Sequence, residues 1–374
     1  MRIELDASGS VEGLGQLIQT VAADPRTQGL LILAGDDNQF TPEQVDPLLL
    51  QTTLPLFGGV FPGIIYGRNK LMRGTIVAGL PKPPKVHVIA GLSDMDTNYD
   101  DLIDERIREI DKTRTMFVFV DGLARRISAL IDGLFNVFGL EFNYLGGGAG
   151  SLSLKQKPCL FTNRGLLADC AVLALSELES GIGVAHGWRA IGGPFSVTES
   201  DRNIIRSLDW RPAFDIYKDL VEKSARVKIT DVNFFDIAKY HPFGISKIGT
   251  ERVIRDPLRK LEDGSLVCVG EVPPQALVDV MTGDVNSLVD AAGMALNLSL
   301  DSYRGPEAAE RTVLFIDCIS RVLCMQNEFE QELEAVHLRD TPMIGALTIG
   351  EIANSGKDYL EFYNKTAVIG VLES

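Results

Sequence analysis

Short apolar runs alternate with amphipathic stretches along the chain. Leu30-Leu31-Ile32-Leu33-Ala34 ends at Gly35-Asp36 and predicts a buried strand. Thr41-Pro42-Glu43 has the form of a cap followed by proline at the first helical position, and predicts a helix to about Thr52. Leu54-Pro55-Leu56-Phe57 then leads into a turn at Gly58-Gly59, and 75–78 and 86–90 predict two more strands. A polar helix is expected over 98–112. The same order then repeats. Met116 to Val120 ends at Asp121-Gly122, and 124–138 carries a helical stripe at Ile127, Leu130, Ile131, Leu134 and Phe138. Phe142-Asn143-Tyr144-Leu145 leads into a glycine turn at 146–150. Strands follow at 159–162, 171–175 and 182–185. The Gly-Gly turns lie 88 positions apart and the strand ends Asp36 and Asp121 lie 85 apart, which implies an internal duplication.

A looser third version occupies the C-terminal part. Val313 to Asp317 predicts a strand, and 319–336 a helix carrying Glu328, Glu330, Glu332 and Glu334. Met343 to Ile349 leads to a turn at Gly350-Glu351, and strands close the chain over 360–372. Between them, 212–222 and 285–298 predict helices and 266–269 a strand. The polar stretch Glu199-Ser200-Asp201-Arg202-Asn203 suggests a boundary. The expectation is an α/β chain with mixed sheets, built from duplicated β-α-β(β) units and packed as layered helices and sheets in two domains. These are 1–203, with related halves of about 1–112 and 113–203, and 204–374.

Composition narrows the function. The 374 residues carry a net charge of −15, which disfavours phosphate backbones and anionic lipid surfaces as partners. The apolar runs are far shorter than the roughly 20 residues of a membrane span. Met1-Arg2-Ile3-Glu4-Leu5-Asp6 lacks the apolar core of a secretory signal. A soluble, cytoplasmic protein is expected. Five widely spaced cysteines without a Cys-x-x-Cys pair, and only four histidines, disfavour a metal framework and fit reduced core thiols.

Two stretches stand out for chemistry. Gly146-Gly147-Gly148-Ala149-Gly150 could present successive backbone N–H groups to an anion, or could be a tight bend that needs glycine. His186-Gly187-Trp188-Arg189 follows a strand, where loops of α/β folds carry function; Trp188 offers a flat face and Arg189 a fork for a carboxylate. Gly350-Glu351 occupies the turn corresponding to Gly58-Gly59 and Gly146-Gly147, with Glu351 suited to an amine. No nucleophile elbow, phosphate loop or His-Glu-x-x-His pair occurs.

Several stretches resemble the FIST N and FIST C domains. They are Leu145-Gly146-Gly147-Gly148-Ala149-Gly150, Gly183-Val184-Ala185-His186-Gly187-Trp188-Arg189-Ala190-Ile191-Gly192 and Val197-Thr198. Tyr240-His241-Pro242-Phe243-Gly244, Val253-Ile254-Arg255-Asp256-Pro257-Leu258, Asp263-Gly264-Ser265-Leu266 and Gly283-Asp284 continue the series, and Gly350-Glu351-Ile352 with Tyr363-Asn364-Lys365-Thr366 closes it. At Ser151-Leu152-Ser153 the chain departs from the acidic residues many members carry. The resemblance implies an intracellular sensory protein that binds a small ligand such as an amino acid, without catalysis. Its output would pass to a histidine kinase, a chemotaxis receptor or a cyclic-dinucleotide enzyme. It also implies an alternative, a haem-based nitric oxide sensor with His186 or His241 as axial ligand; otherwise no cofactor is expected. The remaining alternatives are a hydrolase-like enzyme using Glu351, Asp121 or a cysteine, and a scaffold without a ligand.

Overall fold

Most apolar runs become buried strands, and runs that flank an amphipathic stretch become a parallel pair joined by a crossover helix. The computed structural model describes residues 1–247, 252–306, 309–354 and 359–374. Gly29–Gly35 pairs with Leu56–Phe61 across the helix Pro42–Gln51. Thr115–Asp121 pairs with Asn143–Ala149 across Ile127–Phe138. Arg311–Cys318 pairs with Met343–Thr348 across a crossover broken into Ile319–Met325 and Phe329–Ala335. Parallel strands require such a crossover, and an apolar helical stripe such as Leu130, Ile131, Leu134 and Phe138 covers the sheet face.

These pairs are the hearts of three copies of one unit. In each, an antiparallel strand flanks the first parallel strand: Thr75–Leu80, Cys170–Ser176 or Ala367–Glu373. An outer strand lies beyond it: Arg2–Asp6, Lys85–Ala90 or Ser180–Ala185. A helix leads from the outer strand into the core strand: Val11–Ala22, Tyr99–Arg106 or Val285–Ser302. The fold is thus α/β with mixed sheets.

Each unit also gives a hairpin to its neighbour. The strand Gly63–Tyr66 of the first unit pairs with Met343–Thr348 of the third. Leu160–Thr162 of the second pairs with Leu56–Phe61 of the first, and Glu351–Asn354 of the third pairs with Asn143–Ala149 of the second. The result is three six-stranded sheets closed into a ring by exchanged edges. Exchange also covers the edge of each parallel pair, which would otherwise be open to aggregation.

The glycine pairs mark the same point in two units, but as strand rather than the expected turns. Gly58 and Gly146 lie within buried strands, and a Cβ there would fall 1.9 Å from the carbonyl oxygen of Ile32 or Val118. Gly345 is their counterpart in the third unit, 2.0 Å from the Phe315 oxygen. Close backbone approach, not a bend, requires glycine at these positions.

Residues 189–282 form an insertion between the outer strand and the helix of the third unit. The path of its eight-stranded sheet runs through seven strands, from Val253–Arg255 to Pro257–Lys260, two strands separated in the chain by Asp256 alone, so the sheet curls back on itself. Helices Ala213–Ala225 and Phe234–Ala238 pack on it. The chain enters and leaves side by side, with Arg189 opposite Thr282. The polar stretch 199–203 lies in the insertion's first hairpin, between Arg189–Asp201 and Ile204–Leu208. The helix expected over 98–112 is shorter, Tyr99–Arg106 capped by Asn98. All five cysteines are free and buried. Among the described residues no helix is long and apolar enough to cross a membrane.

Candidate functional site

Equivalent positions in the three units differ sharply at one end of the third. The ladder registers align Asp317 with Ala34 and Val120, and Glu351 with Ile64 and Leu160. Where the fold is content with apolar side chains, the third unit buries two carboxylates with no exposure at all. Burying ionisable groups is costly unless they are paired, so their presence points to a task other than folding.

Arg321 organises these acids. It follows Asp317 by four residues, in the first turn of the helix that the strand leads into, and is fully buried. Its Nε lies 3.1 Å from Asp317 Oδ1 and 3.0 Å from Glu332 Oε1, and its Nη2 also donates to Glu332. Nη1 donates to the His186 carbonyl at 2.9 Å and Nη2 to the Leu288 carbonyl at 2.9 Å. All three guanidinium nitrogens are therefore engaged. One guanidinium cannot balance two buried carboxylates. Burial and the neighbouring Glu332 push Asp317 well above the carboxylate range.

Glu351 completes the group. Its Oε1 accepts from the Thr348 hydroxyl at 3.0 Å, its Oε2 from the Thr366 N–H at 3.3 Å, and the Cys318 thiol is a further partner. Burial pushes its carboxyl up to about 8, so it holds its proton at neutral pH. Lys365, next to Thr366, is also fully buried. Its Nζ lies 3.2 Å from Asp256 Oδ2, donates to the Lys239 carbonyl at 2.8 Å, and stands 5.2 Å from the centre of the Trp188 ring. The group thus holds four acids (Asp256, Asp317, Glu332 and Glu351) against two cations.

The residues expected from sequence are partly brought together here. Glu351 lies directly opposite Gly147, and Ile352 opposite Gly146. The 146–150 stretch is not an anion-cupping turn. It is largely strand, the Gly148 N–H donates to the Gly350 carbonyl and the Gly150 N–H to the Val60 carbonyl. Ala149 is buried in the same strand. His186 and Trp188 approach from the other side: Trp188 Nε1 donates to the Lys365 carbonyl at 3.1 Å, which Arg321 also contacts. His186–Arg189 is the neck through which the chain passes into the insertion. Gly187 takes a φ of +78° there, and a Cβ would meet the Ser287 carbonyl at 2.2 Å. Arg189 is not part of the buried group; it is exposed on the far side of the neck, 4.0 Å from Asp284. Asp121 is buried in the second unit, accepting from Gln156, Leu123 and Asp169, away from Glu351.

Both candidate haem ligands, His186 and His241, are buried. His186 Nδ1 accepts the Trp188 N–H at 2.8 Å, and burial with the nearby Arg321 charge lowers the ring to about 3. His241 Nδ1 lies 2.9 Å from the Ile237 carbonyl, and its own carbonyl accepts from Tyr217. The surface cavities lined by Gly15 and Leu48, by Arg68 and Phe329, and by Met1 and Pro342 open elsewhere. Among the described residues no group of histidines, cysteines and acids is arranged to hold a metal ion.

The chain matches the FIST N domain over residues 29–211 and the FIST C domain over residues 213–354. It belongs to the FIST family. FIST domains are associated with small-ligand sensing in signal transduction, and the family is a sensory one rather than one known for catalysis. No curated protein matches the chain. Within this FIST chain, sequence reading overlooked Asp317, Arg321 and Glu332. The usable signal was a charged pair four residues apart, Asp317 and Arg321, inside an otherwise apolar run.

Proposed function

We propose that this FIST protein is a cytoplasmic, non-catalytic sensor that binds an amino acid or a similar small carboxylate in the buried group of the third unit. A separate partner, such as a histidine kinase, a chemotaxis receptor or a cyclic-dinucleotide enzyme, would read the bound state. The carrying observation is the placement of Asp317 and Glu351 where the equivalent units have Ala34, Val120, Ile64 and Leu160. Four acids against two cations leave the group short of positive charge, and a ligand ammonium would supply it in place of a proton. Glu351 is the amine partner, with Gly147 opposite it in the ladder. Trp188 and His186 border the group from the neck. A raised carboxyl also suits acid–base catalysis, but Glu351 has no exposure to solvent, which favours sensing.

The ligand must open the structure to enter, and binding would therefore be coupled to movement of the insertion against the ring. The test is calorimetric titration with a panel of amino acids, in two buffers of different ionisation enthalpy near pH 7. Binding is expected with release of about one proton as Glu351 ionises beside the ammonium, and it should be lost in Glu351→Gln. A panel in which nothing binds, or a variant that binds like wild type, would sink the reading.

A further inference from the structure

A ligand carboxylate needs a cation, and the two expected from sequence cannot supply one together with Glu351. Arg189 is exposed on the neck, and the N–H groups of Gly148 and Gly150 are committed to backbone carbonyls. Arg321 has all three nitrogens engaged, mostly by acids and carbonyls of the ring itself. Lys365 differs from Arg321 in where its partners come from. Two of them, Asp256 and the Lys239 carbonyl, belong to the insertion, while Lys365 and its further neighbour, Cys324 Sγ at 3.4 Å, belong to the ring. One ammonium therefore clasps the two parts together, at a distance in sequence from the neck at 186–189 and 282–285.

Asp256 has the features of a replaceable occupant. It is the one residue between the two strands that end the insertion's sheet path, so it sits at the seam of the curled sheet. It is buried, 2% exposed, and its Oδ1 has no hydrogen-bond partner. The Ser320 hydroxyl of the ring is its other neighbour. Nearby contacts also join insertion to ring without involving Asp256: Arg255 Nη1 donates to the Phe362 carbonyl at 3.1 Å, and the Tyr240 hydroxyl to the Cys324 carbonyl at 3.1 Å. The clasp can thus open without the insertion losing every contact.

We propose that Lys365 is the carboxylate subsite of the ligand and that Asp256 is a built-in stand-in for that carboxylate, displaced when a small carboxylate binds. This rests on the reading of the third unit as the ligand site. Displacement frees the insertion at the clasp while the neck holds it, which converts binding into a change that a partner can detect.

The test uses the full chain with acetate as the carboxylate probe and methylamine as the amine probe. In Asp256→Asn the stand-in loses its charge and keeps its shape. Acetate should then bind about tenfold more tightly than to wild type, the scale of one charge-assisted hydrogen bond. In wild type, acetate should speed amide hydrogen exchange at 252–260, and in Lys365→Met that exchange should be fast with or without acetate. Lys365→Arg, which keeps the charge, checks folding and should retain acetate binding. Equal acetate affinity in wild type and Asp256→Asn, or no binding to either, overturns the proposal, as does unchanged exchange at 252–260. Methylamine binding lost in Glu351→Gln reports on the amine site separately, so failure of the clasp is distinguishable from failure of the ligand site.

Discussion

Replacing Glu351 by glutamine should change the shape of the stability–pH curve and not merely its height. The side chain is wholly buried, and burial holds its carboxyl at about 8 against an ordinary 4.5. The folded state therefore keeps a proton that the unfolded chain gives up. A raised carboxyl contributes stability that is fully present below about pH 4.5 and is lost as the pH rises to about 8. By linkage the loss is about 1.4 kcal/mol per pH unit across that window, or roughly 5 kcal/mol in all. Glutamine is neutral throughout and its amide oxygen can accept from Thr348 or Thr366 as the carboxyl does. Urea unfolding of the two proteins at a series of pH values measures the effect as the difference between their curves. Near pH 5 the variant should equal wild type or be slightly less stable. Near pH 8.5 it should be more stable by several kcal/mol. Parallel curves would refute the claim that Glu351 is a neutral acid in the folded protein.

Other substitutions separate the roles of neighbouring residues. Asp317→Ala installs the residue that the first unit carries as Ala34 and removes a carboxylate that Arg321 does not need while Glu332 remains. Chemical denaturation should show it neutral or stabilising, and a loss of more than about 2 kcal/mol would contradict the claim that this acid does not serve folding. Gly146→Ala drives a methyl group to 1.9 Å from the Val118 carbonyl oxygen, so thermal unfolding should drop by several degrees or soluble protein should fail to accumulate. Arg189→Ala removes an exposed side chain with one 4.0 Å ion pair, and should cost less than about 0.5 kcal/mol and leave amino-acid binding unchanged in calorimetry.

The first two units are legible because each is contiguous, and because their core strands are mostly apolar, with polar residues such as Thr115, Asp121 and Asn143 at the strand ends. The N-terminal strand Arg2–Asp6 and helix Val11–Ala22 leave a fainter trace, since the strand is half-buried along its length. The third unit is obscured for a different reason: its outer strand Ser180–Ala185 and its helix Val285–Ser302 are separated by the insertion. The exchange of hairpins between units is a long-range pairing, and no local pattern encodes which neighbour Glu351–Asn354 joins. Glycine misleads in a similar way. Runs such as Gly146-Gly147-Gly148 suggest a turn, whereas the need is close contact between a strand and the carbonyls around it, visible only in three dimensions. Glu332 shares its acidic stretch with Glu328, Glu330 and Glu334, and its contact with Arg321 depends on how Phe329–Ala335 packs after the break at 326–328. Lys365 and Asp256 lie within stretches that resemble FIST motifs, but their pairing depends on how the insertion docks.

The claim that the third unit is a ligand site is tested most directly by counting protons on binding. Calorimetric titration of wild type and Glu351→Gln with the same amino-acid panel, near pH 7 in two buffers, gives that count. The expected result is release of about one proton per ligand bound by wild type, and no binding by the variant. Binding of equal strength and equal proton count in both proteins would place the ligand somewhere other than the buried acids of the third unit.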